Sequence, residues 1–218
     1  MPWQFDIPEA TVQRLSNYLT ILRRLERDEQ PTVSSSQIAR LANVNAAQVR
    51  KDLSYFGDFG RRGLGYRVSD LKAHLMRILG VETQRNVIVI GAGNLGSALV
   101  GYPGFEPRGF RIAGIFDTNA SKIGHRLYGQ EILPMDRLAE LVPETGAELA
   151  IVAVPGTSAQ PVVDALVAAG IRCILNLAPV QVTAPPDVAV RSVNMTSQLE
   201  VLSFCLSHIP EQAQSDQP

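Results

Sequence analysis

Apolar residues near the start of the chain recur at helical spacing. Val12, Leu15, Leu19 and Leu22 step by 3, 4 and 3, with Tyr18, Ile21 and Leu25 beside them, so the segment opened by Pro8 and Glu9 reads as an amphipathic helix. It ends in Arg27-Asp28-Glu29-Gln30, before Pro31. A shorter helix follows Ser34-Ser35-Ser36, capped by serine, with Ile38, Leu41 and Ala42 on one side. Asn43-Val44-Asn45 makes a tight turn, and Asn45 caps a third helix from Ala46 to Phe56. At about 100° per residue, Val49, Leu53 and Phe56 share one sector and form its core face. Ser69 is expected to cap a fourth helix, with the stripe Leu71, Leu75 and Ile78, that ends at Gly80.

Past Arg85 the period changes. Asn86-Val87-Ile88-Val89-Ile90 is a continuous β-branched run, the pattern of a strand buried on both faces. Strands over Ile112–Phe116, Glu148–Pro155 and Ile171–Leu177 then alternate with helices over Met135–Val142 and Ser158–Ala169. Such winding predicts a doubly wound parallel sheet in an α/β protein. The predicted organisation is a winged helix-turn-helix unit over 1–80, a linker at 81–85, a Rossmann unit over 86–193, a dimerisation helix over 194–210 and a fraying tail over 211–218. In the terminal helix Met195, Leu199, Leu202, Leu206 and Ile209 step by 4, 3, 4 and 3, and Val201, Phe204 and Cys205 add a second stripe. So wide a face needs burial, either on its own sheet, the commoner case, or on a second subunit.

With 218 residues, 45% hydrophobic, 19% charged and two cysteines, the composition excludes a disordered or disulfide-stapled chain. No apolar run approaches the roughly 20 residues of a membrane span. The start, Met1 to Asp6, lacks the basic and apolar regions of a signal peptide, so a cytoplasmic location is expected. A net charge of −1 by itself argues against a nucleic-acid partner, but it hides an asymmetry. Residues 40–77 hold 8 basic against 3 acidic side chains, net +5, whereas 85–218 hold 8 against 12, net −4. On the third helix Ala47, Lys51 and Ser54 point away from the core, flanked by Arg50 and by Gln48 and Tyr55. With Ser36 of the preceding helix, these residue types suit base edges and phosphates in a major groove. Gly57 to Val68 carries four glycines and the arginines Arg61, Arg62 and Arg67, a cationic hairpin fit for a minor groove. Double-stranded DNA is therefore the expected partner; a protein-binding helical domain is the alternative that the helices alone leave open.

The first strand of the second unit runs into Gly91-Ala92-Gly93-Asn94-Leu95-Gly96 and a helix, the fingerprint that brings a pyrophosphate to a helix N-terminus. Asp117 ends the next strand, 21 residues after Gly96, where an acid accepts ribose hydroxyls. It would repel a 2′-phosphate, and Thr118-Asn119-Ala120 offers no cation, which favours NAD(H) over NADP(H). Val154-Pro155, Asn176 and Ala178-Pro179 fall at strand C-termini on the ligand edge, and Tyr102 follows the first Rossmann helix. The histidines are His74, His125 and His208, and the unit's lone lysine, Lys122, is in a loop, so no acid/base pair for hydride transfer stands out and no enzyme is expected. An NAD-dependent oxidoreductase is the rival reading, and a domain for a CoA derivative the third. Cys173, read as mid-strand, and Cys205 lack metal-ligand spacing, so no metal site is expected, and both read as packing.

Gln48-Val49-Arg50-Lys51-Asp52-Leu53-Ser54-Tyr55-Phe56-Gly57, Gly63-Leu64-Gly65-Tyr66, Gly91 to Gly96, and Ile174-Leu175-Asn176-Leu177-Ala178-Pro179-Val180 together resemble the Rex family of bacterial redox-sensing repressors. The resemblance runs from about Pro8 to His208. It implies a homodimer that reads palindromic operators, with terminal helices exchanged between subunits, and whose repression is lifted when NADH replaces NAD⁺. It also places Tyr102 near the nicotinamide. This chain departs at two positions: Thr20 stands where the family often has Arg, and Asn194, followed by Met195, where it usually has Asp. The interdomain ion pair those positions can form in the family is thus missing, leaving any switch here to neutral hydrogen bonds and packing, or weakening it.

Overall fold

The first amphipathic stretch folds as α1 (Glu9–Arg27), which lays Leu15, Tyr18, Leu19, Leu22 and Leu25 into a core. The computed structural model describes residues 7–57 and 65–208, and the chain separates into two units between Gln84 and Arg85. In the first, β1 (Thr32–Val33) leads into α2 (Ser35–Ala42) and α3 (Ala46–Ser54). Ser34 Oγ accepts the Gln37 N–H at 3.1 Å, and Asn45 Oδ1 accepts the Gln48 N–H at 2.7 Å, so both caps form as the sequence predicts. Asn43 turns the chain between the helices at φ 53°, a conformation that asparagine tolerates. Val49 and Leu53 are buried, and Phe56 packs partly exposed against the same core.

β2 (Tyr66–Arg67) pairs antiparallel with β1, and the rest of the stretch expected to form a hairpin lies for the most part outside the described residues. Residues 58–64, with Arg61 and Arg62, lie outside the described residues. Gly65, at φ +75°, passes so close to Val33 that a Cβ would meet its carbonyl oxygen, so glycine is needed for the two strands to close. α4 (Val68–Ile78) starts directly after β2. Ser69 is therefore inside the first turn and is not the cap; its Oγ donates to Asp70 Oδ1. The earlier start is set by Val68, which is buried and donates its N–H to Pro31 O at 3.0 Å.

The second unit is a seven-stranded sheet of β3 (Arg85–Ile90), β4 (Phe110–Asp117), β5 (Arg126–Leu127), β6 (Gln130–Pro134), β7 (Leu149–Val152), β8 (Cys173–Asn176) and β9 (Ala189–Ser192). Their order is β5-β6-β4-β3-β7-β8-β9. All neighbours are parallel except β5 and β6. α5 (Asn94–Val100) follows β3, α6 (Leu138–Thr145) follows β6, and α7 (Gly156–Ala168) follows β7. α7 begins two residues before the expected Ser158, because extended Pro155 accepts the Ser158 N–H. The β5–β6 hairpin and β9 have no counterpart in the sequence reading. The hairpin turns on Tyr128 and Gly129 at φ 50° and 85°, a turn usually signalled by Asn-Gly.

α8 (Met195–Ser207) buries none of its residues. Met195, Leu199, Leu202 and Leu206 all stand exposed, Leu206 by 72%, while Ile209 and the tail over 211–218 lie outside the described residues. Packing on its own sheet, the commoner of the two alternatives, is thus not what the chain does. Cys173 is exposed, which overturns its reading as packing, and Cys205 is exposed together with the whole of α8. Cys173 heads β8 at the sheet's rim, and Cys205 belongs to the bare helix. Among the described residues no helix is long and apolar enough to cross a membrane.

Candidate functional site

Because β3 lies between β4 and β7, successive crossovers leave it in opposite directions and open a crevice above its C-terminus. A cavity of about 260 Å³ occupies that position. Gly91, Gly93, Asp117, Val154 and Pro155, all candidate cofactor residues, line it. Gly91 turns at φ +102°, and a Cβ on Gly96 would collide with the Gly91 carbonyl oxygen, so the third glycine lets α5 seat on the turn. No atom lies within 4 Å of a Cβ built on Gly93, which keeps the backbone open toward the cavity.

Asp117 is held from three sides. Its Oδ2 accepts the Ala92 N–H at 2.8 Å, its Oδ1 accepts the Asn119 N–H at 2.8 Å, and Lys122 Nζ stands 3.4 Å from Oδ2. Burial pushes this carboxyl toward its neutral form, but the two N–H groups and the ammonium outweigh it and hold the pKa below the ordinary value. The site thus carries a fixed negative charge beside a glycine turn and the α5 N-terminus.

Other candidates fall elsewhere. Asn94 and Leu95 open α5 on its exposed side. Tyr102 is half exposed, packs edge-to-face on Phe105 at 5.1 Å, and is not in the cavity wall. Asn176 is fully buried and latches the loop after β8: it donates to Val180 O and Ser192 Oγ and accepts the Ala178 N–H. Neither Asn176, Ala178 nor Pro179 reaches the cavity wall. Thr118, Lys122, Met135 and Ser158 do, and the sequence reading missed them. Lys122 had a signal, five residues beyond Asp117, but it lies past the Thr118-Asn119-Ala120 stretch in which a cation was expected to show. The Asn119–Lys122 turn brings it back: Lys122 N–H donates to Asn119 O at 2.9 Å.

The second surface is the helix-turn-helix. Ser36, Ala47, Arg50, Lys51, Ser54 and Tyr55 are exposed, and Arg50 Nη1 donates to Ser35 Oγ at 3.1 Å across the two helices. Gln48 departs from its expected outward role: its amide donates to Asp52 Oδ1 at 2.8 Å. Asp52 is fully buried and also accepts from Arg14 Nε at 2.6 Å, Arg14 Nη2 at 2.7 Å, Tyr18 Oη at 2.8 Å and Thr11 Oγ1 at 3.3 Å. Burial alone would raise its pKa; Arg14, Gln48 and Tyr18 together leave it lowered. This cluster ties α3 to α1 behind the exposed basic face.

Residues 6–54 match a family model described as "Putative DNA-binding protein N-terminus", and residues 82–180 match one described as "CoA binding domain". The Redox-sensing transcriptional repressor Rex of Carboxydothermus hydrogenoformans is 52% identical over 92% of this chain and 96% of its own length. The Rex protein of Streptomyces coelicolor is 42% identical over 91% of this chain and 77% of its own. The crystal structure of RSP in complex with β-NAD⁺ and operator DNA superposes with a TM-score of 0.89 at 34% identity, covering 94% of each chain. That of RSP in complex with β-NADH gives 0.84 at 32% identity, covering 94% of this chain and 96% of RSP. Identity at this level across both units, with the glycine turn, its acid and the helix-turn-helix in place, shows that the chain belongs to the Rex family of redox-sensing transcriptional repressors.

Proposed function

We propose that this chain represses transcription by holding palindromic operator DNA as a homodimer, and that NADH in the β3–β4–β7 cleft releases it. The observation that carries this reading is the pairing, in one chain, of an exposed cationic helix face with a glycine-turn cleft ending in a partly buried carboxylate held by two backbone N–H groups. Asp117 receives the adenosine ribose, and Gly91, Gly93 and the α5 N-terminus receive the pyrophosphate. When bound, the nicotinamide supplies a ring that is cationic in NAD⁺ and neutral in NADH. Arg50, Lys51, Ser54 and Tyr55 meet the DNA, with Arg61 and Arg62 entering from the 58–64 segment. The bare face of α8 is the dimer surface, and a protein that works on DNA and the nucleotide pool acts in the cytoplasm.

Asn194 Oδ1 accepts the Thr196 and Ser197 N–H groups, so this residue caps α8 instead of offering a charge. Thr20 Oγ1 donates to Ser16 O at 3.1 Å within α1. With neither position charged, the response to NADH runs without an ion pair between them. A gel shift on a palindromic operator, with NADH and NAD⁺ titrated, tests the proposal: NADH releases the DNA and NAD⁺ does not. Binding indifferent to both nucleotides refutes the redox response and leaves the repressor reading standing. The "CoA binding domain" match makes CoA the second ligand to titrate, and displacement of NADH by micromolar CoA would favour that reading.

A further inference from the structure

We propose that Lys122 is a specificity-determining residue for the nucleotide, a cation that Asp117 keeps occupied and thereby withholds from a 2′-phosphate. The inference rests on the reading of the cleft as an NAD(H) site. Asp117 and Lys122 line the same cavity, and the ammonium lies 3.4 Å from the carboxylate oxygen that also takes the Ala92 N–H. The Asp117 side chain is 11% exposed and that of Lys122 37%, so the carboxylate is the inner member of the pair and the ammonium its solvent-facing one.

The turn that presents Lys122 is built. Asn119 Oδ1 accepts both the N–H and the hydroxyl of Ser121, at 2.9 and 2.8 Å, and Asn119 O accepts the N–H groups of Lys122 and Ile123. The side chain leaves a fixed backbone position instead of wandering over a loop. A carboxylate that accepts two backbone N–H groups cannot turn away, so it prefers hydroxyl donors of a ribose and repels a phosphate. Lys122 weakens that repulsion without removing it. With Asp117 gone, the same ammonium becomes an uncompensated cation at the edge of the ribose site, where a 2′-phosphate carries its charge.

The test is a set of NADH and NADPH titrations, by nucleotide fluorescence, on the full-length chain and three variants. Wild type binds NADH more tightly than NADPH. In Asp117→Ser, NADPH affinity relative to NADH rises by at least about tenfold, the effect of one partly exposed charge pair. Asp117→Ser/Lys122→Gln loses that gain. Lys122→Gln alone leaves Asp117 uncompensated and shifts the ratio further toward NADH. A gain that persists in the double variant overturns the proposal, as does a ratio unchanged in Lys122→Gln, which stands as a test even if Asp117→Ser does not fold. Wild type that binds no NADH refutes instead the reading of the cleft, and the proposal with it.

Discussion

Replacing Asp52 with asparagine keeps the shape of the side chain and removes its charge. The carboxylate is fully buried and accepts five hydrogen bonds, two of them from the Arg14 guanidinium in a bidentate pair. The substituted side chain would present an amide N–H₂ to donors and leave Arg14 without its counter-charge. Because the Arg14 side chain is 27% exposed and water takes up part of its charge, the loss falls below that of a fully buried pair, at about 2–3 kcal/mol. That is still a large share of the roughly 5–15 kcal/mol that holds a domain together. In a domain of roughly 60–100 residues each kcal/mol moves the midpoint by about 4–8 °C, so Asp52→Asn lowers the N-terminal unit's transition by on the order of 10 °C or more.

The pH dependence follows from the direction of the shift. The folded pKa of Asp52 lies below its ordinary 3.8. Its contribution is therefore fully present above about pH 4 and is lost as pH falls through the lowered value. Circular dichroism melts of wild type and Asp52→Asn from about pH 7 to about pH 2.5 measure this. The gap between them should be widest at neutral pH and close in acid, with operator affinity lost in the variant and NADH binding by the second unit retained. A gap below about 1 kcal/mol, the worth of an ordinary hydrogen bond, or one that stays constant down to about pH 2.5, would refute the reasoning.

Gly96→Ala places a methyl against the Gly91 carbonyl oxygen, so α5 must lift from the glycine turn; calorimetric titration should show NADH binding reduced by at least about tenfold, since backbone is what would have to yield. Leu199→Asp together with Leu202→Asp puts two charges on the bare face of α8; sedimentation should then show monomers that no longer hold a palindrome at concentrations where wild type does, and a variant that remains dimeric would place the subunit interface elsewhere.

Local physics made much of this protein readable. Helical periodicity set α1 and the core face of α3, because each apolar position at 3.6-residue spacing must find the same side. Ser34 and Asn45 cap α2 and α3 through short side chains that reach their own backbone, a preference that needs no tertiary partner. The glycine turn and Asp117 were legible for the same reason: one backbone conformation and one strand end specify them. The β5–β6 hairpin was not, since Tyr128 occupies a left-handed position for which tyrosine carries no signal.

Tertiary structure decided what needs two distant segments at once. Asp52 looks like a surface acid in a basic helix until Arg14, Tyr18 and Thr11 arrive from α1, more than 30 residues earlier. Gln48 is drawn inward by the same carboxylate. Asn176, which shares a strand edge with the cleft in one dimension, has its side chain engaged by Val180, Ser192 and Ala178 in three. Lys122 returns to Asp117 only because the Asn119 turn closes. The bareness of α8 is likewise a property of the folded chain: its apolar stripes are in the sequence, but that nothing in the described chain covers them is known only once every other element has taken its place.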